Sequence, residues 1–149
     1  MRILYRVFLI ILTTGCLTDR TALAQWSSAT LSQARANITT TNVGTKAFFA
    51  GGYLLTTYTS SDQVDIYDDS TGQWTTTKLS QPRFRLSAAS LGKKAFFAGG
   101  VALGNITDRV DIYDDSTRQW TTAQLSRPRW SITAAGTRGK ILFAGGVIE

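Results

Sequence analysis

Histidine is absent from this chain of 149 residues, and cysteine occurs once, at Cys16. Beyond residue 24 there is neither. That double absence excludes a disulfide framework, Cys/His zinc sites, Ser-His-Asp triads and any histidine general base from the rest of the chain. No apolar run reaches the roughly 20 residues needed to span a bilayer as a helix. The only candidate, Val7 to Leu12 loosely continued to Leu17, is far too short. Carboxylates are few: 10 Asp and Glu stand against 16 Lys and Arg, a formal net charge of +6.

The first 24 residues explain part of that charge. Arg2 and Arg6 precede the short apolar run, and Ala22, Leu23 and Ala24 form a small-x-small pattern. Together these read as a secretory signal peptide cut before Gln25, placing the mature chain outside the cell or in a periplasm. A lipid anchor through Cys16 is the alternative, but Thr13 stands where that pattern wants an aliphatic residue. Removing residues 1–24 takes away Arg2, Arg6, Arg20 and Asp19, leaving 13 basic against 9 acidic residues, net +4. So mild a surplus lacks the dense basic stripe of a nucleic-acid binder, and no nucleic acid is expected as partner.

What the chain does have is repetition. Trp26, Trp74 and Trp120 lie 48 and 46 residues apart, each preceded by glutamine. Each is followed 25 residues later by a glycine pair: Gly51-Gly52, Gly99-Gly100 and Gly145-Gly146. The pairs close three apolar bursts, "KAFFAGG" at 46–52, the same letters at 94–100, and "ILFAGG" at 141–146. Arg35, Arg83 and Arg129 stay in phase, and "VDIYDDST" occurs at both 64–71 and 110–117. Each period reads as four short strands: "RLSAASL" (85–91), "KAFFA" (94–98), "RVDIYD" (109–114) and "QWTTAQL" (119–125). Asp and Ser after the third strand read as a side-chain-capped turn and not as a calcium loop, since spaced oxygen ligands are lacking. Four antiparallel strands in 46 to 48 residues are the arithmetic of a propeller blade.

With its glycine pair after an apolar strand, then Tyr67 or Tyr113, then Trp74 or Trp120 after six residues, the chain resembles the kelch family. Pro82-Arg83 and Pro128-Arg129 are similar to that family's link between blades. The resemblance covers residues 25–149 and implies an all-β fold, a kelch-type β-propeller of four-stranded antiparallel blades. Residues 34–79 and 82–125 would be complete blades, 25–31 the last strand of a preceding blade, and 130–144 the first hairpin of an incomplete one. Closed propellers use about 4–8 blades. Three outcomes are therefore open: self-association to complete a ring, a fragment of a longer product, or an open array. Within a blade, "AFFA" is expected to be apolar on both sides, the glycines to leave room for the Tyr and Trp rings, and loss of Trp74 or Trp120 to be severe.

Repetition also filters for function, because a residue that recurs in every blade serves the blade. Asp62, Asp65, Asp68 and Asp69 recur 46 residues later as Asp108, Asp111, Asp114 and Asp115, and Glu149 is terminal. A dedicated acid-base pair is thus unsupported, and no catalytic residue, metal or cofactor is expected. Arg35, Arg83 and Arg129 are in phase and suit internal pairing with blade aspartates. Arg85 and Arg127 break the phase, and with Tyr53, Tyr58 and Trp130 they are the candidate ligand-binding residues, with Phe84 nearby on the same face. They belong to the links and the unequal loops after the glycine pairs, which an antiparallel blade brings to one face. Arginine among aromatics suits an acidic glycan or an acidic protein segment. Asn37 and Asn105 open N-glycosylation sequons. The expected function is a non-catalytic interaction module for a protein or glycan. The alternative is an inactive remnant of a kelch-type enzyme, of the sialic-acid mutarotase or galactose-oxidase kind.

Overall fold

A computed structural model describes residues 7–11 and 25–148, with side chains from residue 28 onward. The expected cleavage site at residue 24, Cys16 and the side chain of Trp26 lie outside the described residues. The protein is all-β. No helix of the described residues is long and apolar enough to cross a membrane.

Two units divide the chain. In the first, β1 (Val7–Ile11) pairs antiparallel with β2 (Gln25–Ala29). The second runs from Arg35 and holds the other strands of the described residues. Sheet I orders β3 (Thr39–Val43), β4 (Lys46–Ala50), β7 (Gln63–Asp68) and β8 (Gln73–Lys78) as an antiparallel meander. A two-residue hairpin, β5 (Tyr53–Leu54) with β6 (Thr59–Ser60), interrupts it after β4. Sheet II repeats the plan with β9 (Ser87–Leu91), β10 (Lys94–Ala98), β13 (Arg109–Asp114) and β14 (Gln119–Gln124). Its inserted hairpin is β11 (Val101–Ala102) with β12 (Asn105–Ile106). Last comes a hairpin of β15 (Thr133–Gly136) with β16 (Ile141–Ala144). The first strands lie side by side, β3 along β9 and β9 along β15. The register of the two sheets is the same, with Tyr67 opposite Trp74 and Tyr113 opposite Trp120.

Turn chemistry sets the strand ends. Asp68 accepts hydrogen bonds from the Ser70 hydroxyl and the Ser70 backbone N–H, and the Asp114 carboxylate accepts from the Ser116 N–H, closing the β7–β8 and β13–β14 turns. Expected to begin at residue 85, the first strand of sheet II begins instead at Ser87, because Arg85 takes a left-handed backbone with φ of 54°.

Burial of "AFFA" is two-sided but uneven, with Phe97 in one hydrophobic cluster and Phe96 packed against another. In β4 the fully buried ring is Phe48, while in β10 it is Phe97, the other member of the pair. Phe48 and Phe97 face each other across the space between sheets I and II, within a cluster that includes Val43, Val64, Ile66, Ala95 and Tyr113. The opposite faces, Phe49 on sheet I and Phe96 on sheet II, are half-buried. Trp74 is 37% exposed, so the severe loss expected on its removal does not carry over from Trp120, which packs against the core.

The glycine pairs make room for backbone, not rings. A Cβ on Gly51 would stand 2.6 Å from the Arg83 carbonyl oxygen, and one on Gly99 would stand 2.4 Å from that of Arg129. Those carbonyls accept from the N–H of Gly52 and Gly100, both at 2.9 Å. The pairs Gly51-Gly52 and Gly99-Gly100 are thus the points where the link to the next sheet crosses and is clamped.

Candidate functional site

The in-phase arginines are structural. Arg83 is fully buried and its guanidinium donates to the carbonyls of Gly99 at 2.9 Å and Arg109 at 2.7 Å, and to the Asp111 carboxylate. Arg35 does the same in sheet I, with Asp65 as its carboxylate. Burial lowers both guanidinium pKa values and the aspartates oppose the shift, so both side chains remain cations locked inside a sheet. Arg129 donates to the Gly145 carbonyl at 2.9 Å and is only half-buried. Tyr67, Tyr113, Trp74 and Trp120 likewise stack within their own sheets, each Tyr–Trp pair at 5.2 Å.

One face of the second unit is built by the links and the inserted hairpins. Three bridges join them: Ala36 to Tyr53, Phe84 to Val101, and Trp130 to Val147. Directly after each link partner comes a non-glycine residue at positive φ, namely Asn37 (52°), Arg85 (54°) and Ser131 (53°). Their backbones are chained, the Arg85 N–H donating to Asn37 at 3.4 Å and the Ser131 N–H to Arg85 at 3.1 Å. For Arg and Ser this left-handed conformation costs about 1–2 kcal/mol, and strain of this kind concentrates at functional sites.

The consequence for side chains is a row of rings and one cation. Tyr53 and Phe84 lie 5.0 Å apart. The Arg85 guanidinium stands 5.7 Å from the Phe84 centroid and 4.6 Å from that of Trp130. Arg85 is exposed, so its charge still meets solvent. Beside the row opens a cleft of about 390 Å³ lined by Tyr53, Tyr58, Thr59, Ser60, Phe84, Val101, Leu103 and Gly104. Tyr58 and Leu103 rise from the two hairpin tips, 75% and 88% exposed. Among the described residues no carboxylate lines this cleft.

Arg127 is not gathered with the others. It lines a separate cleft of about 230 Å³ with Ile106, Pro128 and Ile148. Asn37 and Asn105 are both exposed, and the Asn105 amide donates to the Leu103 carbonyl at 3.3 Å. Among the described residues no group of three or more acidic, Cys or His side chains gathers as a metal centre.

No family model and no curated protein matches the chain. Leu103 and Ser131 were absent from the sequence-derived site. Phe84 and Trp130, both expected on this face, fill with aromatics the link slot that Ala36 fills with a methyl group.

Proposed function

We propose that the chain is an exported, non-catalytic kelch-type repeat module that binds an acidic glycan through the face carrying Arg85. The propeller reading is supported by two meander sheets of equal register with their first strands side by side. The observation that carries the ligand class is the Arg85 guanidinium held 4.6 Å over Trp130. Stacking fixes a cation that would otherwise sample many rotamers, leaving its N–H edge to take a carboxylate or sulfate in the planar manner arginine favours. Adjacent rings, Tyr53 and Phe84, offer flat apolar surface for sugar faces.

The inactive enzyme remnant gains no support, because the fully enclosed carboxylates, Asp65 and Asp111, are taken by Arg35 and Arg83. Export rests on the N-terminal pattern alone.

Titration calorimetry of the full chain with uronate or sulfated oligosaccharides and their neutral counterparts tests the reading. Acidic ligands should bind more tightly, and Arg85→Ala should weaken them about tenfold, the order of one charge-assisted hydrogen bond. Equal affinity for neutral and acidic sugars, or an unaffected Arg85→Ala variant, would overturn it. Binding of acidic peptides alone would redirect it to a protein ligand.

A further inference from the structure

The interface between sheets I and II has two unlike halves, and the chain presents each half a second time. Sheet I contributes a knob, Phe48, whose ring lies 5.2 Å from Tyr113 and 6.2 Å from Phe97. Sheet II contributes a socket, in which Tyr113 and Phe97 both lean on Trp120 at 5.2 and 5.8 Å. An ion pair between Lys46 and Asp115 closes the edge, and this hydrogen-bonded contact raises the Lys46 pKa.

The socket recurs on the outer face of sheet I. Tyr67 and Phe49 lean on Trp74 at 5.2 and 5.6 Å, and here the tryptophan stays 37% exposed. Next to Phe49 lies an open hollow of about 380 Å³ flanked by Thr40, Asn42 and Ala47. Asp69 occupies the slot of Asp115.

The knob recurs on the last hairpin. Leu142 follows Lys140 by two positions, as Phe48 follows Lys46, and it is 52% exposed. Phe143, in the slot of Phe97, turns inward onto sheet II. Among the described residues neither Lys140 nor Asp69 has an ion-pair partner. Knob and socket, and cation and carboxylate, are thus left over at opposite ends of the same array.

We propose that the outer face of the β15–β16 hairpin docks on the outer face of sheet I of a second copy of this chain. Leu142 enters the space before Trp74, between Tyr67 and Phe49, and Lys140 pairs with Asp69. The contact reproduces an interface that the chain already makes once within itself, which is why the occupant is a second copy. Such a head-to-tail contact joins unlike surfaces, so it propagates and closes into a ring or runs on as a filament. None of the residues of the Arg85 face takes part, and the two proposals stand or fall separately.

Sedimentation of the full chain over a range of concentrations tests it. The mass should rise with concentration. Leu142→Asp should weaken association about tenfold or more, through the lost burial of one Leu and the buried charge. Lys140→Asp and Asp69→Lys should each weaken it about threefold, as a half-exposed ion pair would, and the two together in one chain should restore it. A monomer at every concentration overturns the proposal. So does association that ignores Leu142→Asp, or a double charge reversal no better than the single ones.

Discussion

Four phenylalanines in two identical heptapeptides provide a matched experiment. Phe48 and Phe96 hold the same place in "KAFFAGG", as do Phe49 and Phe97, so local sequence predicts pairwise equal effects. The packing predicts a crossover. Phe48 and Phe97 have no exposed surface, and each sits in the cluster between sheets I and II. Truncating either to alanine removes a buried ring and leaves a cavity, a loss of about 3–5 kcal/mol. Phe96 and Phe49 are half-buried, Phe96 against the smaller cluster of Ala98, Val110 and Ile132 and Phe49 against Trp74. Their loss should cost about 1–2 kcal/mol, mainly the forfeited transfer of half a side chain. A domain of this size has about 5–15 kcal/mol in all, so the difference is large. Urea unfolding followed by far-UV circular dichroism, at protein concentrations where the chain is a monomer, reads it as a shift in midpoint at constant slope. Phe48→Ala and Phe97→Ala should form one severe pair, Phe96→Ala and Phe49→Ala one mild pair. If instead the variants group by place in the heptapeptide, the inter-sheet core described above is wrong.

Breaking a buried pair should be as costly. Asp111→Ala leaves the Arg83 cation without its carboxylate at zero exposure and should cost about 3–5 kcal/mol in urea unfolding. Arg129→Ala, which removes one bond from a half-buried guanidinium, should cost about 1 kcal/mol or less. Alkaline pH should loosen the same interface. Burial raises the Tyr113 pKa, and the hydrogen bond to Asp115 raises that of Lys46. A raised pKa means stability that is whole below the unfolded value and lost as pH climbs through the folded one, here above about 10. At the acid end, hydrogen bonds from Ser70 and Thr45 lower the Asp68 pKa, and the Ser116 backbone lowers that of Asp114. Their contribution is present above about pH 4 and is lost below it. With no histidine, thermal midpoints of the full chain should stay nearly flat from about pH 5 to 9, and a steep change inside that window would contradict this account.

Much of the site was legible in advance for one reason: repetition separates what a sheet needs from what it does not. Arg35 and Arg83 recur, and the structure uses them on Asp65 and Asp111. Arg85 breaks the phase, and it is the arginine left exposed on the ring-lined face. Arg127 breaks the phase too, yet it lines another cleft, because irregularity along the chain carries no information about direction in space. The stack of Arg85 on Trp130 joins residues 45 apart through two links, and no spacing rule anticipates it.

By itself the sequence did not determine the short inserted hairpins, but it determined the four main strands of each sheet, the turns between them and their antiparallel order. These depend on near neighbours: apolar bursts, Asp and Ser at the turns, a Tyr opposite a Trp. The tertiary structure alone decided which face of each burst is core. "KAFFA" buries Phe48 in one copy and Phe97 in the other, since burial is a property of what lies across the gap and not of the strand that carries the ring. It also decided what the glycine pairs are for, because the carbonyl they admit belongs to a link about 30 residues further on.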